Sequence, residues 1–183
     1  MDQMTRTTFE NLWSEDGDTR YNAFNEILAL TDEPVDWAYE VWDQVVEKLH
    51  DKGNHQRAIA AQLLCNLSKS DPQRRMLKDI AGLLAVTKDE RFVTARHCLQ
   101  SLWKVGAAGD DQRKMLLDGL SVRFSECISE KNCTLIRYDI IQDLRNLYDV
   151  VPDEAVKRKA LALIDTEQDL KYRKKYSSVW RVR

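Results

Sequence analysis

Proline is scarce in this chain, with three in 183 residues, and glycine is little commoner, with six. So few chain breakers exclude the many tight turns of a β-sandwich or barrel, and they exclude Pro/Gly-rich disorder. Long apolar runs are missing as well. The best uninterrupted one, Ala81 to Val86, falls far short of the ~18–20 residues that a membrane-crossing helix needs. The opening residues MDQMTRTTFENLW carry no apolar h-region, so no secretory signal is expected. Cys65, Cys98, Cys127 and Cys133 show no framework spacing, and the expectation is reduced thiols in a cytoplasmic protein. A Gly-rich phosphate loop, a Walker pattern and G-x-S-x-G are all absent.

What is present is apolar and charged matter in the proportions of a helix-rich protein, 43% and 32%. The net charge of −2 conceals a polarity along the chain. Residues 1–50 hold twelve Asp and Glu against Arg6, Arg20 and Lys48, a net −9. Residues 171–183 carry Lys171, Arg173, Lys174, Lys175, Arg181 and Arg183 with no acid, a net +6. Opposite ends of opposite sign are the strongest functional hint in the composition.

Apolar spacing of three and four predicts a succession of amphipathic helices. Phe9, Leu12 and Trp13 mark a short leading helix. A helix over 18–30 places Ala23, Ile27, Leu28 and Leu30 inward. Its partner runs from Pro34 to about Asp51 with Ala38, Val41, Trp42, Val45 and Leu49 inward, Pro34 taking the first helical position, where its missing N–H costs nothing. The stretch from Gly53 to Pro72 is the cleanest copy of this unit: Arg57, small Ala60, then Leu63, Leu64 and Leu67 before the Ser70-Asp71-Pro72 break. A helix from Pro72 to Val86 follows, with Met76, Leu77, Ile80, Leu83 and Leu84. A third pair starts near Asp89 with Phe92, Ala95, Leu99 and Leu102, turns through residues 106–110, and continues with Leu116, Leu117, Leu120, Phe124 and Cys127. The fourth joins Cys133, Ile136, Ile140, Leu144 and Leu147 to Val156, Ala160, Leu163 and Ile164 across Val151-Pro152-Asp153.

These pairs share a register. With Ala23, Ala60, Ala95 and Ile140 equivalent, Leu30, Leu67, Leu102 and Leu147 each lie seven residues later, and Arg20, Arg57 and Arg137 lie three before. The small anchor, the Leu-rich first helix and the Asp-x-Arg starts at Asp18–Arg20 and Asp89–Arg91 resemble HEAT-type helical repeats over residues 17–170. The resemblance implies an all-α fold, a right-handed α-solenoid of about four antiparallel pairs. Its surface would be offered to a partner, with residues 1–16 as leader and 171–183 as a basic aromatic extension. Ile140 in place of a small anchor and a third unit without proline depart from the pattern.

No constellation of catalytic residues, metal ligands or cofactor contacts emerges. His50, His55 and His97 lack ligand spacing, and no Cys-x-x-Cys pair exists. Neighbouring His97 and Cys98 point about 100° apart on a helix and cannot act as base and nucleophile. The acid pairs Asp32-Glu33, Asp89-Glu90 and Asp110-Asp111 fall at helix starts, where the macrodipole favours them.

The resemblance also implies an alternative, an alkylated-base DNA glycosylase of the HEAT-like class, for which Trp37 with Asp36 or Asp43 would supply the aromatic and the acid, but the strongly acidic first fifty residues oppose phosphate binding. The expected activity is therefore non-catalytic protein binding, without cofactor or metal and without a membrane segment. Its candidate contacts are Trp37 and Tyr39, with Trp37 half exposed, and Lys171, Arg173, Lys174, Lys175, Trp180, Arg181 and Arg183. The tail's aromatics either stack on a ligand or pack on the last repeat. Nucleic acid is the rival partner, and head-to-tail self-association is a further option.

Overall fold

The computed structural model describes residues 1–181. Among these the chain is all-α, with no strand. It divides into two compact units, Met1–Cys98 and Leu99–Arg183. The first holds α1 (Gln3–Asn11), α2 (Gly17–Leu30), α3 (Ala38–Lys48), α4 (Asn54–Leu67), α5 (Met76–Val86) and α6 (Phe92–Leu99), the last ending at the boundary. The second holds α7 (Trp103–Ala107), α8 (Asp110–Glu126), α9 (Cys133–Val150), α10 (Glu154–Thr166) and α11 (Leu170–Val179).

In the first unit α1 packs on α2, α3 on α4, α2 on α4 and α4 on α5. The most central helix is α4, in which Ala60, Ala61, Leu63, Leu64, Cys65 and Leu67 are fully buried. In the second unit α7 packs on α8 and α9, α8 on α10, α9 on α10 and α11. The stripes of α9 (Ile136, Ile140, Leu144, Leu147) and of α10 (Val156, Ala160, Leu163, Ile164) are buried as the spacing predicts. Gly106 permits the close approach of α7. A Cβ there would stand 2.8 Å from Leu147 Cδ2 and 3.0 Å from Leu116 Cδ2.

Helix starts depend on side chains rather than on proline. Asp2, Asp16, Asp153 and Asp169 each accept a backbone N–H of the first turn of the helix they precede. Pro34 and Pro72 do not occupy the first helical position. Each stands four residues ahead of its helix, in the loop before α3 and the turn before α5.

Leu30 also departs from expectation and is 42% exposed. The helix ends there, and Thr31 turns inward instead, where its hydroxyl donates to the Ile27 carbonyl (2.7 Å) and accepts from Asn66 Nδ2 (3.0 Å). The third pair's first helix is broken over residues 100–102 between α6 and α7. Trp103 N–H, freed by the break, donates to Asp143 Oδ1 at 2.9 Å.

Asp143 is buried, and its Oδ2 has no hydrogen-bond partner. Burial drives its carboxyl well above the ordinary aspartate value, against the Trp103 N–H, with Asp139 adding repulsion. The folded state thus keeps the acid protonated where the unfolded chain, with a value of roughly 4, has released the proton. The stability it contributes is complete at lower pH and is lost as pH rises above that value. Asp143→Asn retains an acceptor for Trp103. We expect it to be about 1 kcal/mol more stable than the parent at pH 7 and indistinguishable near pH 4, read from urea midpoints.

Candidate interaction surface

The sequence-flagged residues fall into two neighbourhoods, one in each unit. In the first, Trp37 directly precedes α3 and is 8% exposed, so the expectation of a half-exposed contact anchor is corrected. Trp37 is buried, as are Ala38 and Val41 in the helix it precedes. Trp42 is fully buried and donates its indole N–H to Asp79 at 2.8 Å. Neither ring is a platform on which a base could stack.

Tyr39 is half-buried. Its hydroxyl donates to Asp71 Oδ1 (2.6 Å) and accepts from Gln73 N–H (2.8 Å). Burial, then the bond to Asp71, raises the phenol above its ordinary value. The Arg75 guanidinium covers both the Tyr39 and Trp42 rings, 5.5 and 5.6 Å from their centroids, and pairs with Asp43. This polar cluster is satisfied from within.

The arginines of the shared register have matching tasks. Arg20 donates to the carbonyls of Ser14 and Glu15, and Arg57 to those of Asp51 and Lys52, the same offsets in both cases. Arg57 also reaches forward to Asp89 (2.9 Å), and Arg137 to Glu167 (2.8 Å). Burial alone would raise the Asp89 carboxyl, but the Arg57 guanidinium and the Arg91 N–H outweigh it and hold it below its ordinary value. The acid pair at Asp89 is therefore structural. Asp110 likewise pairs with Arg113 at the start of α8.

The histidines hold no metal cluster, for no group of three or more ligand residues forms among the described residues. His97 is exposed, while neighbouring Cys98 is buried with its thiol directed at the Leu83 carbonyl (3.2 Å). Within the first unit, however, His55 and His97 border an open groove of about 410 Å³, walled by Tyr21, Phe24, Ile59 and Val93 of α2, α4 and α6. Sequence reading missed this groove. Tyr21, Ala58 and Val93, all lining it, each stand two residues before the anchors Ala23, Ala60 and Ala95, and that coincidence was the available signal.

The second neighbourhood is α11, the helix into which the basic tail folds. Tyr176 is fully buried, edge-on to Phe124 at 6.4 Å, with its hydroxyl donating to the Thr134 carbonyl (2.9 Å). Trp180 is half-buried against Tyr148 at 5.4 Å and beneath Arg145. Of the two roles open to the tail's aromatics, packing is the one realised. Arg173 turns back to the Asp165 end of α10.

Lys171, Lys174, Lys175 and Arg181 remain exposed. Lys171 and Lys175 lie over the rings of Tyr172 and Tyr138, 5.6 and 4.7 Å from the centroids. Among the described residues none of Lys171, Lys174 and Lys175 has an acidic partner within ion-pair distance. Arg183 lies outside the described residues.

No protein-family description and no curated protein matches the chain. Solved structures do. Two crystal structures of engineered proteins from the Northeast Structural Genomics Consortium each align at 15% identity with a TM-score of 0.50. One alignment covers 97% of this chain and 95% of the engineered one, the other 98% and 88%. At that identity the likeness bears on fold alone, and what it supports is an all-helical chain.

Proposed function

We propose that the chain is a short right-handed α-solenoid of four HEAT-like hairpins, acting as a non-catalytic protein-binding scaffold in the cytoplasm. Supporting the solenoid are first helices laid on first helices (α2 on α4, α7 on α9), second on second (α8 on α10), and the repeated arginine bonds. Four cysteines outside any disulfide fit a cytoplasmic location. One observation carries the binding role: α11 turns Tyr176 inward and leaves Lys171, Lys174 and Lys175 facing solvent with no acidic partner among the described residues. Such a cationic face suits an acidic protein surface.

A triple Lys174→Glu, Lys175→Glu, Arg181→Glu variant is expected to lose about tenfold or more in partner retention from native extract at low salt, with the difference shrinking as salt screens it. Unchanged retention would overturn the reading. Titration with a labelled duplex at low salt separates the rival, because the phosphate contribution is greatest there. Duplex binding that the same variant abolishes would transfer α11 to nucleic acid. The acidic first fifty residues of a second copy are a further protein surface of the right sign, and sedimentation at rising concentration reads such self-association directly.

A further inference from the structure

Cys127 ends α8 and Cys133 opens α9, so the exposed turn 128–131 separates two thiols that face each other. Their sulfurs stand 2.8 Å apart, well inside ordinary sulfur–sulfur contact and about 0.8 Å beyond a covalent disulfide. The approach is held by the surrounding bonds. Cys127 carbonyl accepts from Glu130 N–H (2.8 Å), and Glu130 carbonyl accepts from Cys133 N–H (3.1 Å). Buried Arg123 grips the Glu130 carboxylate, while Arg137 on the α9 side donates to the Phe124 carbonyl of α8 (3.0 Å). The turn is therefore fixed in a form that already brings the sulfurs together.

We propose that Cys127 and Cys133 are a reversible modification site, closed to an intramolecular disulfide by thiol–disulfide exchange with a low-molecular-weight disulfide such as oxidised glutathione. The two sulfurs have different access. Cys133 is half-buried and opens on the exposed turn, whereas Cys127 is fully buried and its thiol is pushed up to about 12 by burial and by its Cys133 neighbour.

Cys133 is therefore the attacking group. Its thiolate bonds to one glutathione sulfur, the small disulfide breaks, and the first glutathione leaves with the proton that Cys133 gave up. Cys127 then releases its proton to solvent and attacks the Cys133 sulfur. The Cys133–glutathione bond breaks, and the second glutathione leaves and is protonated. The protein loses two protons and two electrons, and one small disulfide becomes two thiols. The second step should speed up with pH, because Cys127 must ionise.

The test uses the full chain. It is incubated with oxidised glutathione, quenched with N-ethylmaleimide in denaturant and digested with trypsin. Lys131 lies between the two cysteines, so the closed form joins the peptides 124–131 and 132–137 through a dithiothreitol-sensitive bond. The linked pair is expected in about tenfold or greater excess over glutathione-bearing Cys133, since the neighbouring thiol acts at high effective concentration. Cys65 and Cys98 should carry maleimide. Maleimide on both Cys127 and Cys133, or glutathione persisting on Cys133 without linkage, would overturn the proposal. A Cys127→Ser chain should instead stop at glutathione on Cys133, and failure to trap it there refutes the order of attack.

Discussion

Replacing Asp71 with alanine is expected to lower the unfolding free energy of the first unit by about 2 to 4 kcal/mol. The carboxylate is 6% exposed and serves three donors at once. Oδ1 accepts the Tyr39 hydroxyl and Arg75 N–H (2.9 Å), and Oδ2 accepts Met76 N–H (2.7 Å). Two of these are orphan donors at the start of α5, and the third ties α3 to that start. The turn also holds Arg74 at a φ of 59°, a left-handed conformation that a non-glycine residue adopts only when its surroundings insist. Alanine strands all three donors and releases the turn. Asparagine keeps one acceptor oxygen and should recover roughly half the loss. Urea unfolding followed by tryptophan fluorescence, to which Trp42 contributes with its ring 5.8 Å from Tyr39, reads both variants. A midpoint for the alanine variant equal to the parent's would show that the cap contributes nothing.

Asp71 also shows what a sequence exposes and what it conceals. Ser70-Asp71-Pro72 announces a break between helices, and the break is there. That the aspartate rather than the proline starts the next helix depends on Tyr39, thirty-two residues upstream, and on where Arg75 and Met76 fall. The helical stripes were legible for a different reason. A period of three and four in Ile136, Ile140, Leu144 and Leu147 is a local property, and nothing distant has to be known to bury them.

The features that escaped all rest on distant partners. The break before α7 contains no glycine or proline, and the Trp103 N–H that it frees is taken by Asp143, forty residues on, which sits beside an apolar stripe where a charge would not be sought. Trp37 is too large and too near a helix end for its exposure to be decided by periodicity, and tertiary packing buried it. In the tail, alternating bases and aromatics forecast a two-faced helix but not which face the protein would keep. Tyr176 settled that by finding Phe124 and the Thr134 carbonyl. Cys127 and Cys133, six apart, resembled no metal knuckle, and only the closed turn reveals that their sulfurs meet.

Arg137 joins the register arginines to the basic helix, and its loss should be felt in both. Its Nε serves the Phe124 carbonyl, its guanidinium lies 4.7 Å from the Phe124 ring centroid, and Nη1 meets Glu167 at 2.8 Å. Both partners are nearly buried, with side-chain exposures of 12% and 8%. Glu167 in turn accepts Asp169 N–H (3.0 Å), and Asp169 caps α11 through the N–H groups of Lys171 and Tyr172. Arg137→Met leaves a carboxylate with one remaining donor in a poorly solvated place, which should destabilise the second unit by about 3 kcal/mol. The double change Arg137→Met, Glu167→Met removes the stranded charge as well, and at least half the loss should return, because an apolar pair of similar volume replaces a desolvated ion pair at little net expense. Equal losses in the single and double variants would mean that Arg137 stabilises through its stacking on Phe124 and its bond to the α8 carbonyl, and that the ion pair contributes little.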